Sequence, residues 1–105
     1  MFRKVLYNMF RKKGKSMKKI TINEFFKSSK KLAVHPGTYE NANALCKAFD
    51  KANYVWWSGI KYIGHNGYEY YKDKTCYTNK GTYCDINLCK TFGYKIIEFK
   101  DIDLK

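Results

Sequence analysis

Four cysteines, two histidines and nine carboxylates are the groups in this 105-residue chain that could do covalent or metal chemistry. Their spacing argues against both. Cys46, Cys76, Cys84 and Cys89 form no CxxC pair, and Cys76, Cys84 and Cys89 with His65 fit no familiar zinc-knuckle spacing. Buried thiols acting as small hydrophobes explain them better, and without an export signal free thiols in a reducing cytosol are the default. A cysteine nucleophile would need a base, and only His35 and His65 are present. The chain has no GxxxxGKS/T phosphate loop, no GxSxG elbow, no HExxH pair and no paired-carboxylate spacing. The expectation is a protein that is not an enzyme and that uses no cofactor and no metal.

Stacking and charge are the chemistry the sequence does offer. Between residues 54 and 83 stand Tyr54, Trp56, Trp57, Tyr62, Tyr68, Tyr70, Tyr71, Tyr77 and Tyr83, interleaved with Lys61, Lys72, Lys74 and Lys80. Rings can stack on bases while ammonium groups neutralise phosphate. The candidate ligand-binding residues are Trp56, Trp57, Lys61, Tyr62, Tyr70, Tyr71, Lys72 and Lys74. The alternative is that cross-strand Tyr and Trp pairs only stabilise a small sheet. Both readings stay open at this level.

The net charge of +12 favours an anionic partner: a nucleotide, a nucleic acid, anionic lipid or an acidic protein face. A solvated lysine surface without a partner is the bland alternative. Residues 1–16 hold six of the 21 cations and none of the nine acids, so the remainder carries only +6. In that segment Phe2, Val5, Leu6, Met9 and Phe10 share one helical face. We read it as an extension in front of a natural start at Met17, because "KKGKS" fits the translation of a purine-rich ribosome-binding site. A working basic arm is the alternative. No apolar run reaches the roughly 18 residues of a membrane span.

The elements that must position these residues are those of one small α+β domain over 17–105. "TINE" (Thr21 to Glu24) has capping-box spacing and predicts a helix near 22–30. "KLAVH" (31–35) predicts a strand closed by Pro36-Gly37, and Thr38 caps a helix over 39–52. "YVWWSGIKYI" (54–63) and "YEYYKD" (68–73) read as strands around an Asn66-Gly67 hairpin. "TCYT" and "GTYCDI" read as a second hairpin about Asn79-Lys80-Gly81. "NLCKTF" is a short helix or turn, and "YKIIEF" (94–99) is a last strand partly buried on both faces. The expected fold is a small antiparallel or mixed sheet of about five strands packed on two or three short helices. A homo-oligomer would help so short a chain bury enough surface.

"KKITINEFF", "LAVHPGTYENANALCKAF", "WWSG", "DKTCYTNKGTY" and "FGYKIIEFKDI" together resemble a group of small, poorly characterised proteins of phages and prophages from low-GC Gram-positive bacteria. The resemblance covers 17–105, and no single motif is diagnostic alone. The chain departs from the group's pattern at Pro36-Gly37, where the group often has a cysteine or similar residue. The resemblance implies a viral accessory protein in the cytoplasm of an infected bacterium, of the host-takeover or anti-defence kind. Such proteins commonly work by stoichiometric binding, sequestering a nucleotide signal or blocking an immune effector that handles nucleic acid. The alternatives are a general DNA- or RNA-binding regulator and a protein–protein inhibitor of a host enzyme that uses the aromatic face.

Overall fold

Thr21 starts the first helix as its spacing predicts. Its Oγ1 accepts from the Glu24 N–H at 3.1 Å, and the Glu24 carboxylate accepts from the Thr21 N–H at 2.9 Å. A computed structural model describes residues 19–105. The amphipathic segment, its basic run and the start at Met17 lie outside the described residues. Strand β1 (Ile20–Thr21) leads into helix α1 (Ile22–Lys27), which buries Ile22 and Phe25. The helix stops three residues short of the expected end, because Ser28 turns to extended backbone.

Strand β2 (Leu32–His35) lies inside a four-stranded mixed sheet of order β4-β3-β2-β5. It pairs antiparallel with β3 (Thr75–Thr78) and parallel with β5 (Lys95–Glu98). β3 and β4 (Tyr83–Asp85) form the hairpin expected about Asn79-Lys80-Gly81, with Cys76 opposite Cys84 and Tyr77 opposite Tyr83. A separate two-stranded parallel pair joins β1 to β6 (Ile102–Asp103). Among the described residues the fold is α+β, with sheets of four and two strands and four short helices.

Alternation along the strands gives the larger sheet two covered faces. Leu32, Val34 and Tyr77 point to the main core, where helix α2 (Tyr39–Lys51) contributes Ala42, Leu45, Cys46 and Phe49. Thr38 caps α2 by accepting from the Asn41 N–H at 3.1 Å. On the other face Ala33 and Cys76 meet Cys89 of helix α4 (Ile86–Thr91). Ile97 joins the first cluster and Ile96 the second, so β5 is partly buried on both faces as expected.

Asn79 ties this body together. Its Oδ1 accepts from the Leu32 N–H at 3.2 Å, and its Nδ2 donates to the carbonyls of Phe25 and Lys30 at 3.1 and 2.8 Å. The turn residue of the hairpin therefore also fixes the loop between α1 and β2.

Two expectations need correction. The first concerns 54–73, which forms no strand pair and no hairpin. A single bridge, Val55 to Lys61, closes a tight loop, within which Trp56 N–H donates to the Ile60 carbonyl at 2.8 Å. Asn66 is not a hairpin residue: its Oδ1 accepts from the Tyr68 N–H at 3.0 Å and its Nδ2 donates to Asn43 Oδ1 at 2.8 Å. That side chain turns the backbone into helix α3 (Tyr68–Tyr71), followed by a 3-10 turn (Lys72–Lys74). The second concerns the thiols. Cys84 and Cys89 form a disulfide, because the turn at the Asp85 cap brings their Cα atoms within 6.3 Å. Cys46 and Cys76 are free and buried.

Candidate functional site

The loop 55–61, helix α3 and the β3–β4 hairpin enclose a groove of about 390 Å³. Its lining is Trp56, Trp57, Ser58, Ile60, His65, Gly67, Glu69, Tyr70, Gly81, Thr82 and Tyr83. The volume falls in the usual range of small-molecule sites, about 300–1,000 Å³.

Two close approaches build this groove. Trp57 N–H donates to the Gly81 carbonyl at 2.9 Å, which pins the tryptophan loop to the hairpin. A Cβ on Gly81 would stand 2.7 Å from the Trp57 nitrogen, and Gly81 has φ +79°, so only glycine fits there. Gly67, with φ +65°, leaves room for the Tyr83 ring, whose carbons would lie 3.1 Å from an added Cβ.

Trp56 and Trp57 divide the work. Trp56 is 8% exposed and donates its indole N–H to the His65 carbonyl at 2.8 Å. Its ring reaches Tyr62 at 4.3 Å on the core side and Tyr83 at 5.4 Å on the groove side. Trp57 is 81% exposed. Tyr70 stacks on Tyr83 at 5.9 Å with planes 18° apart, and Tyr71 meets Tyr83 edge-on at 6.2 Å.

Of the eight residues expected from sequence, Trp56, Trp57 and Tyr70 line the groove, and Tyr71 packs behind Tyr83. Tyr62 is fully buried among Phe49, Phe26 and Trp56 and offers a ligand no surface. Lys61, Lys72 and Lys74 are exposed but do not line the groove. Lys61 directly follows the lining residue Ile60 in the chain. Lys72 has φ +54°, a region non-glycine residues rarely occupy.

Glu69 was not singled out by sequence, and His65, Gly67 and Gly81 were weighed there only as a metal or base candidate and as hairpin residues. The signal present but misread was Asn66-Gly67, which marks a helix entry as readily as a hairpin. Glu69 follows from that entry, one residue before Tyr70.

The groove is lined by one carboxylate, Glu69, in an otherwise basic protein. The Glu69 carboxylate makes no ion pair or hydrogen bond among the described residues, and no lysine or arginine among them lines the groove. The Tyr83 phenol is held above its ordinary value, first by its own desolvation, then by Tyr70, Tyr71 and Glu69.

Elsewhere, burial pushes the Cys46 and Cys76 thiols up to about 12, which leaves both protonated at neutral pH and poor nucleophiles. His35 has both ring nitrogens engaged, with the Glu98 carboxylate at 3.0 Å and the Asp73 carbonyl at 2.7 Å. No group of three His, Cys, Asp or Glu side chains among the described residues is placed to hold a metal ion. No helix among them is long and apolar enough to cross a membrane. Comparison with family models, curated proteins and solved structures finds no match to this chain.

Proposed function

We propose that this chain is a non-enzymatic binding protein of phage origin, a host-takeover or anti-defence factor that captures a nucleotide signal in the cytoplasm of an infected bacterium. The observation that carries the binding reading is the groove, whose Trp56, Trp57, Tyr70 and Tyr83 supply flat apolar surface sized for a base. The phage setting rests on the sequence resemblance alone. Phosphates would lie at the rim, toward exposed lysines such as Lys61 and Lys80, because the groove itself holds a carboxylate and no lysine. Blocking an immune effector that handles nucleic acid would use the same rings on an unpaired base.

Mass spectrometry of small molecules released by heating the natively purified protein tests this reading, together with tryptophan-fluorescence titrations against mononucleotides, cyclic nucleotides and short oligonucleotides. An intact released nucleotide and a saturable titration support it. Flat titrations across the whole panel would sink it. A preference for long DNA or RNA with steep salt dependence would instead mark a general nucleic-acid binder.

One observation favours a second reading. Val55, Ile60 and Ile63 are about half exposed beside Trp57, an apolar cluster on one loop suited to a protein partner. In that case Ile60→Asp and Ile63→Asp abolish inhibition of a host enzyme while nucleotides fail to compete.

A further inference from the structure

The groove contains a carboxyl side chain, a poor neighbour for phosphate. Glu69 lines it beside Tyr70, and no lysine or arginine among the described residues neutralises it. The Tyr70 and Tyr83 rings, stacked at 5.9 Å, line the same groove as that carboxylate. Glu69 is exposed, so a ligand that uses both the rings and this carboxylate brings a flat face and hydrogen-bond donors.

We infer that the group seated in the groove is a guanine base, with its N1–H and N2 amino donors accepted by the Glu69 carboxylate. The inference rests on the nucleotide reading above and names the base. A carboxylate has two acceptor oxygens and can take two parallel donors. Only guanine among the four RNA bases presents two adjacent donors on its Watson–Crick edge. Adenine sets its N6 amino group beside the N1 acceptor, and cytosine sets N4 beside N3, so a carboxylate facing either edge meets a lone pair. Uracil offers N3–H between two carbonyl oxygens, which a carboxylate repels. A guanidinium also carries paired donors, but the groove of about 390 Å³ has several ring faces for a larger planar group. The raised Tyr83 phenol, to which Glu69 and Tyr70 both contribute, agrees with these groups converging on one side of the groove.

The test uses the full chain and five monophosphates that share one phosphate group, so that differences report the base. Tryptophan fluorescence is titrated with guanosine, inosine, adenosine, cytidine and uridine monophosphates, and with argininamide as the guanidinium probe. We expect guanosine monophosphate to bind about tenfold or more tighter than adenosine monophosphate, with inosine monophosphate, which lacks the N2 amine, in between. Glu69→Gln should weaken guanosine monophosphate about tenfold or more, bind adenosine monophosphate at least as tightly as the wild type because an amide can donate to its N1, and keep the wild-type melting temperature. Equal affinity for all bases, or an unaltered guanine preference in Glu69→Gln, overturns the inference and leaves the nucleotide reading standing. Tighter binding of argininamide than of any nucleotide overturns the inference in favour of a cationic ligand. No response to any nucleotide overturns the functional reading and the inference with it.

Discussion

The body of this protein and its 54–74 segment both bury aromatic rings, but by different means. In the body, alternation along β2 and β3 and the helical spacing of α2 send Val34, Tyr77, Leu45 and Phe49 into one cluster. Each ring there is delivered by a regular element whose backbone is satisfied by its own ladder or helix. The 54–74 segment has one bridge and a four-residue helix, and it delivers Trp56 and Tyr62 to the same core from a loop. Its backbone is satisfied by its own turns, by the hairpin and by Asn66; Tyr54 and Tyr68 pack partly buried against the core, and Trp57, Tyr70 and Tyr71 are left exposed. The difference teaches where exposed aromatic surface comes from: Trp56 and Trp57 are neighbours, yet one anchors the loop and the other is spare.

The sharpest way to break this comparison is to truncate one ring on each side of it. Tyr62→Ala removes a fully buried ring and should cost about 3–5 kcal/mol in a denaturant melt. Trp57→Ala should cost no more than about 0.5 kcal/mol, since its ring is 81% exposed. Comparable losses for both would remove the distinction.

Alkaline pH attacks the body next. Burial raises the Cys46 and Cys76 thiols from 9.0 to about 12 in the folded state. The unfolded chain therefore sheds those protons first. Stability stays whole below pH 9, then falls as pH climbs from 9 toward 12. Two thiols give a loss on the order of 3 kcal/mol by pH 10, read as a fall in melting temperature that is smaller in Cys46→Ala.

Reducing the disulfide tests the far face of the sheet. Cys84 and Cys89 close a short loop, worth about 2 kcal/mol by chain entropy. A melt with and without reductant should show that loss, with nucleotide affinity unchanged because neither cysteine lines the groove.

Gly81→Ala acts at the seam between the two regions. The added Cβ meets the Trp57 nitrogen at 2.7 Å on a backbone of φ +79°. We expect a loss of about 1–3 kcal/mol and a change in tryptophan emission as the loop lifts from the hairpin. An unperturbed spectrum would show that this contact does not hold the loop.

The body was legible in the sequence because its signals are local and chemical. Thr21 with Glu24, Thr38 before α2, and Asn79-Lys80-Gly81 each name a cap or turn whose hydrogen bonds lie within a few residues. The 54–74 segment was not. Its Val, Trp and Tyr content suits strands, but that preference measures fit to a paired, half-buried sheet surface, and no partner strand pairs with it. Asn66-Gly67 supports both a hairpin and a helix entry, and only the Tyr68 N–H decides between them. Trp56, Trp57 and Tyr70 nevertheless line one groove, although the segment is not the pair of strands expected. The lysine half of the candidate site did not carry into the groove, because a one-residue offset that reverses sides in a strand means something else in a loop. The Cys84–Cys89 pairing depends on a turn between β4 and α4 that spacing alone does not reveal.

The central claim is that the outward rings of the tryptophan loop form the binding surface. Its most direct measurement is the affinity of the nucleotide that binds best, compared between the wild type and Trp57→Ala at equal folded fraction. The account predicts a loss of about fivefold to a hundredfold, the worth of one base stacked on one ring, with an unchanged melt. An unchanged affinity in a folded Trp57→Ala protein would contradict it.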